Sequence, residues 1–229
     1  MKIEGSIALV TGANRGMGRH YAQALLARGA AKVYGAARNP DQVDIPGVEP
    51  LALDLTDPAS VAAAAAQASD VTLLINNAGV STGQDLITGD LDRIRLEMDT
   101  NFYGTLNVVR AFAPILGANG GGAILNMLSV LSWISLSGST SYSAAKAAEW
   151  SLTNGIRVEL AEQGTLVAGL HVAAVDTDMT AGWDTPKADP AAVVAAGLDG
   201  IEAGQVEILA DDTSRQAKGR LSEDPNRAS

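Results

Sequence analysis

The chain has 229 residues, 47% of them hydrophobic, which suits one large α/β domain or two small ones with a sizeable core. It contains no cysteine and two histidines, which excludes disulfides, cysteine nucleophiles, thiolate metal sites and the zinc centre of a metal-dependent alcohol dehydrogenase. A net charge of −10 with no basic stripe excludes a nucleic-acid partner.

Strand and helix patterns alternate along the chain. The opening residues, Met1 to Gly5, carry no cleavable apolar segment and run directly into a strand-like stretch at 7–10. A helix is expected over 18–28, closed by Gly29. Residues 32–37 form a second strand and 51–53 a short third. Asp57 and Pro58 read as an N-cap and first helical position, opening an alanine-rich helix to Gln67. Residues 71–75 are a compact fourth strand. A long helix is expected over 90–116, then a fifth strand over 123–127. A second long helix covers 141–162 and a sixth strand 166–172. Asp189 and Pro190 repeat the cap signal before a helix to about Ala203. Residues 206–209 make a short seventh strand, and 218–229 read as a polar, frayed tail.

Apolar strands set between helices imply a parallel sheet covered on both faces. The expectation is one Rossmann-like, doubly wound α/β domain of about seven strands, spanning residues 1–229. No apolar run is long enough to span a bilayer, so a soluble cytoplasmic protein without a membrane partner is expected.

Gly12, Gly16 and Gly18 lie between the first strand and the first helix. Glycines there let backbone N–H groups approach a pyrophosphate, with Asn14, Arg15 and Met17 in the same turn. The second strand ends Ala36-Ala37-Arg38, without the carboxylate that would accept the ribose hydroxyls of NAD. Arg38, helped by Arg15, suits a 2′-phosphate. NADP(H) is therefore preferred, with NAD(H) the alternative.

Tyr142 and Lys146 share a helix face. An ammonium beside a phenol stabilises phenolate, which suits proton transfer at a carbon that gains or loses hydride. Ser129 follows the fifth strand, where the ligand edge of such a sheet lies. His20 and His171 are read as helix and strand residues without chemistry, and Glu149 and Glu159 as residues of solvated helix faces or an interface.

The T-G-x-x-x-G-x-G turn at Thr11–Gly18 resembles that of the short-chain dehydrogenase/reductase family. The resemblance extends to Asn76-Asn77-Ala78-Gly79, Asn101, Ser129, Tyr142, Lys146 and Val175-Asp176-Thr177, covering about residues 7–179. It implies a catalytic set of Asn101, Ser129, Tyr142 and Lys146, in which Tyr142 passes the proton, Ser129 polarises the substrate oxygen, and Asn101 holds a helix kink and a water leading to the lysine. It also implies that Asp54 and Leu55 meet the adenine and that Asn76, Ala78 and Gly79 line the ribose. Val175 and Thr177 fall in the segment that meets the nicotinamide, and Asn77 is read as structural. Homodimers or homotetramers built on the two long helices are expected of such a protein.

Val172 and Ala173 stand where the family usually has Pro-Gly. The lid after Met179 is short, with Trp183 its only large apolar residue, and Trp133, Ile134 and Leu136 either wall an apolar pocket or pack into the body. The expected activity is reversible NADPH-dependent reduction of a ketone or aldehyde. The alternatives are an NAD-dependent secondary-alcohol or hydroxy-compound dehydrogenase and a non-catalytic dinucleotide sensor.

Overall fold

A computed structural model describes residues 1–223. Seven parallel strands form one sheet in the order β3-β2-β1-β4-β5-β6-β7. The strands are β1 (Ile7–Thr11), β2 (Lys32–Ala37), β3 (Glu49–Ala52), β4 (Leu73–Asn76), β5 (Ala123–Met127), β6 (Leu166–His171) and β7 (Glu207–Leu209). Parallel neighbours need crossovers, which the helices supply. These are α1 (Gly16–Ala27), α2 (Pro58–Gln67), α3 (Leu91–Met98), α4 (Thr105–Ala118), α5 (Thr140–Glu159) and α6 (Pro190–Glu202). A last helix, α7 (Asp212–Gly219), follows β7.

Because successive strand residues point to opposite faces, each central strand feeds two cores. Ala8, Val10, Leu73, Ile75 and Leu125 pack with Tyr21 and Leu25 of α1 and with Leu198 and Ile201 of α6. Leu9, Leu74 and Ile124 face the other way, onto Val61 of α2, Val108 and Phe112 of α4 and Ile156 of α5. No helix of the described residues is long and apolar enough to cross a membrane.

Capping chemistry sets several helix starts. The Asp57 and Asp189 carboxylates accept the N–H groups of Ala59 and Ala191, and a proline follows each at the first helical position. The expected helix over 90–116 is three pieces: α3, a π-helical turn Asp99–Gly104, and α4. The polar tail expected from Lys218 is corrected in its first residues. Asp211 caps α7 by accepting the Ser214 N–H, and the helix runs to Gly219. Lys218 pairs with Glu207 at 2.7 Å and lies 5.0 Å over the Trp133 ring. The remainder of that tail, 224–229, lies outside the described residues.

Winding reverses between β1 and β4, so the crevice for a ligand opens past the C-terminal ends of the central strands.

Candidate active site

The turn after β1 is shaped for close backbone approach. Gly12 and Gly16 have φ of 68° and 50°, the left-handed region that glycine tolerates. Gly18 is constrained by space instead: a Cβ there would lie 2.1 Å from the Gly12 carbonyl oxygen. Asn77 braces the turn from the end of β4. Its Nδ2 donates to the Thr11 carbonyl at 2.9 Å, while the Asn77 and Ala78 N–H groups both donate to Thr11 Oγ1 at 3.0 Å. Asn77 is thus structural, as its sequence position implied. Asn14 donates to Gln42 at 3.1 Å, and Met17 packs against the core under the turn.

Arg15 and Arg38 are exposed, and neither makes a salt bridge among the described residues. Arg38 follows β2, whose end carries no carboxylate. Asp54, past β3, accepts the Thr56 N–H and hydroxyl at 2.9 and 2.7 Å, and these bonds hold its carboxyl below the usual range, with a smaller contribution from Arg38. Leu55 is buried, and its carbonyl accepts Asn107 Nδ2 at 3.1 Å.

Asn76 has 2% of its surface exposed, and its amide donates to Asn126 Oδ1 across β4 and β5 at 2.8 Å. Its side-chain amide is tied into the sheet. Ala78 and Gly79 remain at the sheet edge.

Asn101 sits in the π-helical turn and clamps the loop after β4 with both amide atoms. Oδ1 accepts the Val80 N–H at 3.0 Å and Nδ2 donates to the Val80 carbonyl at 2.9 Å. A Cβ on Gly79 would lie 2.8 Å from Asn101 Oδ1 and 3.8 Å from Lys146 Nζ, so these three residues converge.

Tyr142 and Lys146 lie on one face of α5. The ammonium is 5.8 Å from the Tyr142 ring centre. Lys146 is buried and donates to the Met127 carbonyl at 2.7 Å and to Glu149 Oε2 at 2.6 Å. Burial pushes the Tyr142 phenol up, and Lys146 opposes that push. Burial disfavours the Lys146 charge, but Glu149 and Tyr142 outweigh it, so the amine stays charged and its pKa rises.

Glu149 was expected on a solvated face or at an interface. It is 1% exposed, and the correction has a simple cause: three residues beyond Lys146 is one helical turn on the same inward face. Glu97 of α3 is likewise fully buried, accepting the Thr82 N–H and hydroxyl and the Ser141 hydroxyl.

Ser129 lies two residues past β5 and caps a short turn, Val130–Ser132. Its Oγ accepts the Leu131 N–H at 3.1 Å, which leaves the hydroxyl hydrogen free to be donated. Ser132 is the partner in this capping box, its Oγ accepting the Ser129 N–H at 3.3 Å. The Ser129 carbonyl meets His171 Nδ1 at 3.1 Å, which assigns the ring hydrogen to that nitrogen. Burial drives His171 down to about 4, so the ring is neutral. It stacks on Trp133 at 3.8 Å between centroids, and Trp133 in turn meets Trp150 edge-on at 6.2 Å. Trp133 therefore packs into the body, while Ile134 and Leu136 stay exposed. Sequence reasoning assigned His171 to its strand but missed this support of Ser129.

After β6 the chain keeps a regular path without Pro-Gly. Val130 N–H donates to the Val172 carbonyl at 3.0 Å, Ala173 N–H to Asp211 at 2.8 Å, and no non-glycine described residue has a positive φ. Val175 bridges to Ala188, which closes the short lid, and Thr177 comes to the phosphate turn, 3.8 Å from where a Gly16 Cβ would stand. An open cavity of about 500 Å³ beside it is lined by Asp176, Trp183, Thr185 and Lys187 among others.

A parallel sheet in this order, with a glycine cradle at its reversal point, defines a dinucleotide-binding α/β protein. Within that class the chain belongs to the short-chain dehydrogenase family, whose model matches residues 6–188. It is an oxidoreductase of a family that uses NAD(P). It is 33% identical to the 3-oxoacyl-(acyl-carrier-protein) reductase FabG of Salmonella typhimurium, with 96% of this chain and 95% of that protein covered. D-erythrulose reductase of Gallus gallus is 32% identical over 84% of this chain and 81% of its own length. A short-chain dehydrogenase of Burkholderia cenocepacia solved in complex with NADP superimposes with a TM-score of 0.95 at 40% identity, covering 99% of this chain and 97% of that one.

Proposed function

We propose that this protein is an NADPH-dependent reductase of ketones or aldehydes, reversible as an alcohol dehydrogenase. The observation that carries the reading is the convergence of Lys146, Asn101 and Gly79 beside Tyr142 on the sheet edge that also holds the glycine cradle.

The residues present fit a dinucleotide. Gly12, Asn14, Arg15, Gly16, Met17 and Gly18 would hold the pyrophosphate, and the tight space at Gly18 is filled by any larger residue. Exposed Arg38, with Arg15, would meet a 2′-phosphate. Asp54 and Leu55 would border the adenine, Ala78 and Gly79 the ribose, and Val175 and Thr177 the nicotinamide. When bound, the reduced nicotinamide supplies the hydride.

The protein's own groups handle the proton. Tyr142 donates to the carbonyl oxygen as carbon is reduced, a form of assistance worth about 10²–10⁴-fold. Ser129 offers its free hydroxyl hydrogen to the same oxygen. Lys146 has one N–H left after Met127 and Glu149, available to a ribose hydroxyl. Similarity to the NADP complex and to reductases of 3-oxoacyl and erythrulose substrates supports this reading. A homodimer or homotetramer is proposed as well, since Leu91, Leu96, Tyr103 and Val158 leave apolar surface exposed on the α3–α5 side.

The test is a panel of ketones, aldehydes and sugars with NADPH and with NADH, followed by absorbance. Turnover with a lower KM for NADPH supports the proposal. Cofactor binding without turnover of any member would favour a dinucleotide sensor instead.

A further inference from the structure

A buried glutamate sits where the proton-transfer pair alone would not require one. Glu149 Oε2 is 2.6 Å from Lys146 Nζ, and the two side chains are 1% and 5% exposed. Its other oxygen, Oε1, accepts the Thr105 hydroxyl at 3.4 Å, so α4 helps fix the carboxylate. Lys146 is held from the opposite direction by the Met127 carbonyl of β5. A buried ion pair of this kind rarely adds net stability, because desolvation of both ions offsets their attraction. Its place beside Tyr142 gives it a different use.

We propose that Glu149 is a positioning residue that fixes and neutralises the Lys146 ammonium, and so holds the Tyr142–Lys146 couple in its proton-bearing, reductive form. An isolated ammonium near a buried phenol draws the phenol toward phenolate. A carboxylate in contact with that ammonium opposes its field at the phenol, although the lysine's remains the larger of the two. The charged groups acting on Tyr142 are Lys146 and Glu149 on α5 and Glu97 on α3. Those acting on Lys146 are Glu149 and Tyr142. From β6, His171 faces the lysine as a neutral ring and adds no charge. Removing the Glu149 charge leaves the remaining protons of the couple easier to lose, whichever of the two groups releases first.

The role rests on Tyr142 being the proton donor, but its test does not require a substrate. Phenolate absorbance is followed against pH in the full-length protein, and the Tyr142→Phe spectrum is subtracted to isolate one ring. In the wild type Tyr142 ionises no lower than an ordinary tyrosine, about 10. In Glu149→Gln the ionisation moves down by roughly one unit or more, while Glu149→Asp stays with the wild type. An unshifted Glu149→Gln curve in folded protein overturns the proposal. So does a wild-type ring that ionises near neutrality, a result available even if the variant does not fold. If Tyr142→Phe instead keeps full reductase activity, the proton-donor reading fails while the electrostatic result stands or falls separately.

Discussion

The Lys146 ammonium lies 5.8 Å from the centre of the Tyr142 ring and 2.6 Å from Glu149, so one buried cation joins the phenol proposed as proton donor to a buried anion. Stability and chemistry should separate at this point. Lys146→Met leaves the Glu149 carboxylate buried and unpaired, which costs about 3–5 kcal/mol. Lys146→Met with Glu149→Leu removes both charges, so thermal unfolding returns close to the wild type while reduction stays lost. A double variant as unstable as the single one would show that the loss comes from packing.

Cofactor preference should follow Arg38. A charge-assisted contact to phosphate is worth about 1.5–3 kcal/mol, so Arg38→Asp is expected to raise the KM for NADPH about tenfold or more. A carboxylate at the end of β2 also accepts ribose hydroxyls, so the KM for NADH falls. Initial rates with both cofactors check this, and an unchanged ratio would remove Arg38 from the site.

The glycine turn should tolerate no side chain at Gly18. A Cβ there would lie 2.1 Å from the Gly12 oxygen and 2.7 Å from Asn77 Nδ2. Gly18→Ala forces the turn apart, at about 1–3 kcal/mol or more, and NADPH binding measured by fluorescence is lost. Gly155, within α5, has nothing within 4 Å of its would-be Cβ. Gly155→Ala is therefore the control, stabilising by roughly 1 kcal/mol through helix propensity.

Acid should loosen the sheet edge through His171. Its pKa falls from 6.5 when unfolded to about 4 in the fold, because burial excludes the imidazolium. Between those values the unfolded chain binds the extra proton, so stability is full above about 6.5 and declines as pH drops toward 4, by up to about 3 kcal/mol. Denaturant unfolding at several pH values measures it. His171→Phe should flatten the slope in that window, at the cost of the bond to the Ser129 carbonyl.

Elements with strong local signals were legible before the structure. β2 and β5 have their expected bounds, β2 stopping before charged Arg38 and β5 starting after Gly121-Gly122. α2 starts at Pro58 because Asp57 and proline make a local cap. The π-helical turn at Asn101 had only the kink implied by the family resemblance to announce it, since its residues continue an ordinary helical pattern. Its cause is tertiary: the Asn101 amide is committed to both backbone groups of Val80. α7 was missed because it is polar on most faces and depends on the Asp211–Ser214 cap and on Lys218 over Trp133. Glu149 was misread through residue type. The spacing that joins Tyr142 to Lys146 also carries Glu149 and Thr153 on the inward face, and that geometry outranks the usual preference of glutamate for water. Asn76 was assigned by its motif, whereas the sheet claims its amide for Asn126.

Reduction by Tyr142→Phe, measured beside the wild type with NADPH and whichever carbonyl compound the panel identifies, tests the proton-donor role most directly. The account predicts unchanged NADPH affinity and a turnover lower by about 10²-fold or more. Near-wild-type turnover with intact cofactor binding would contradict it.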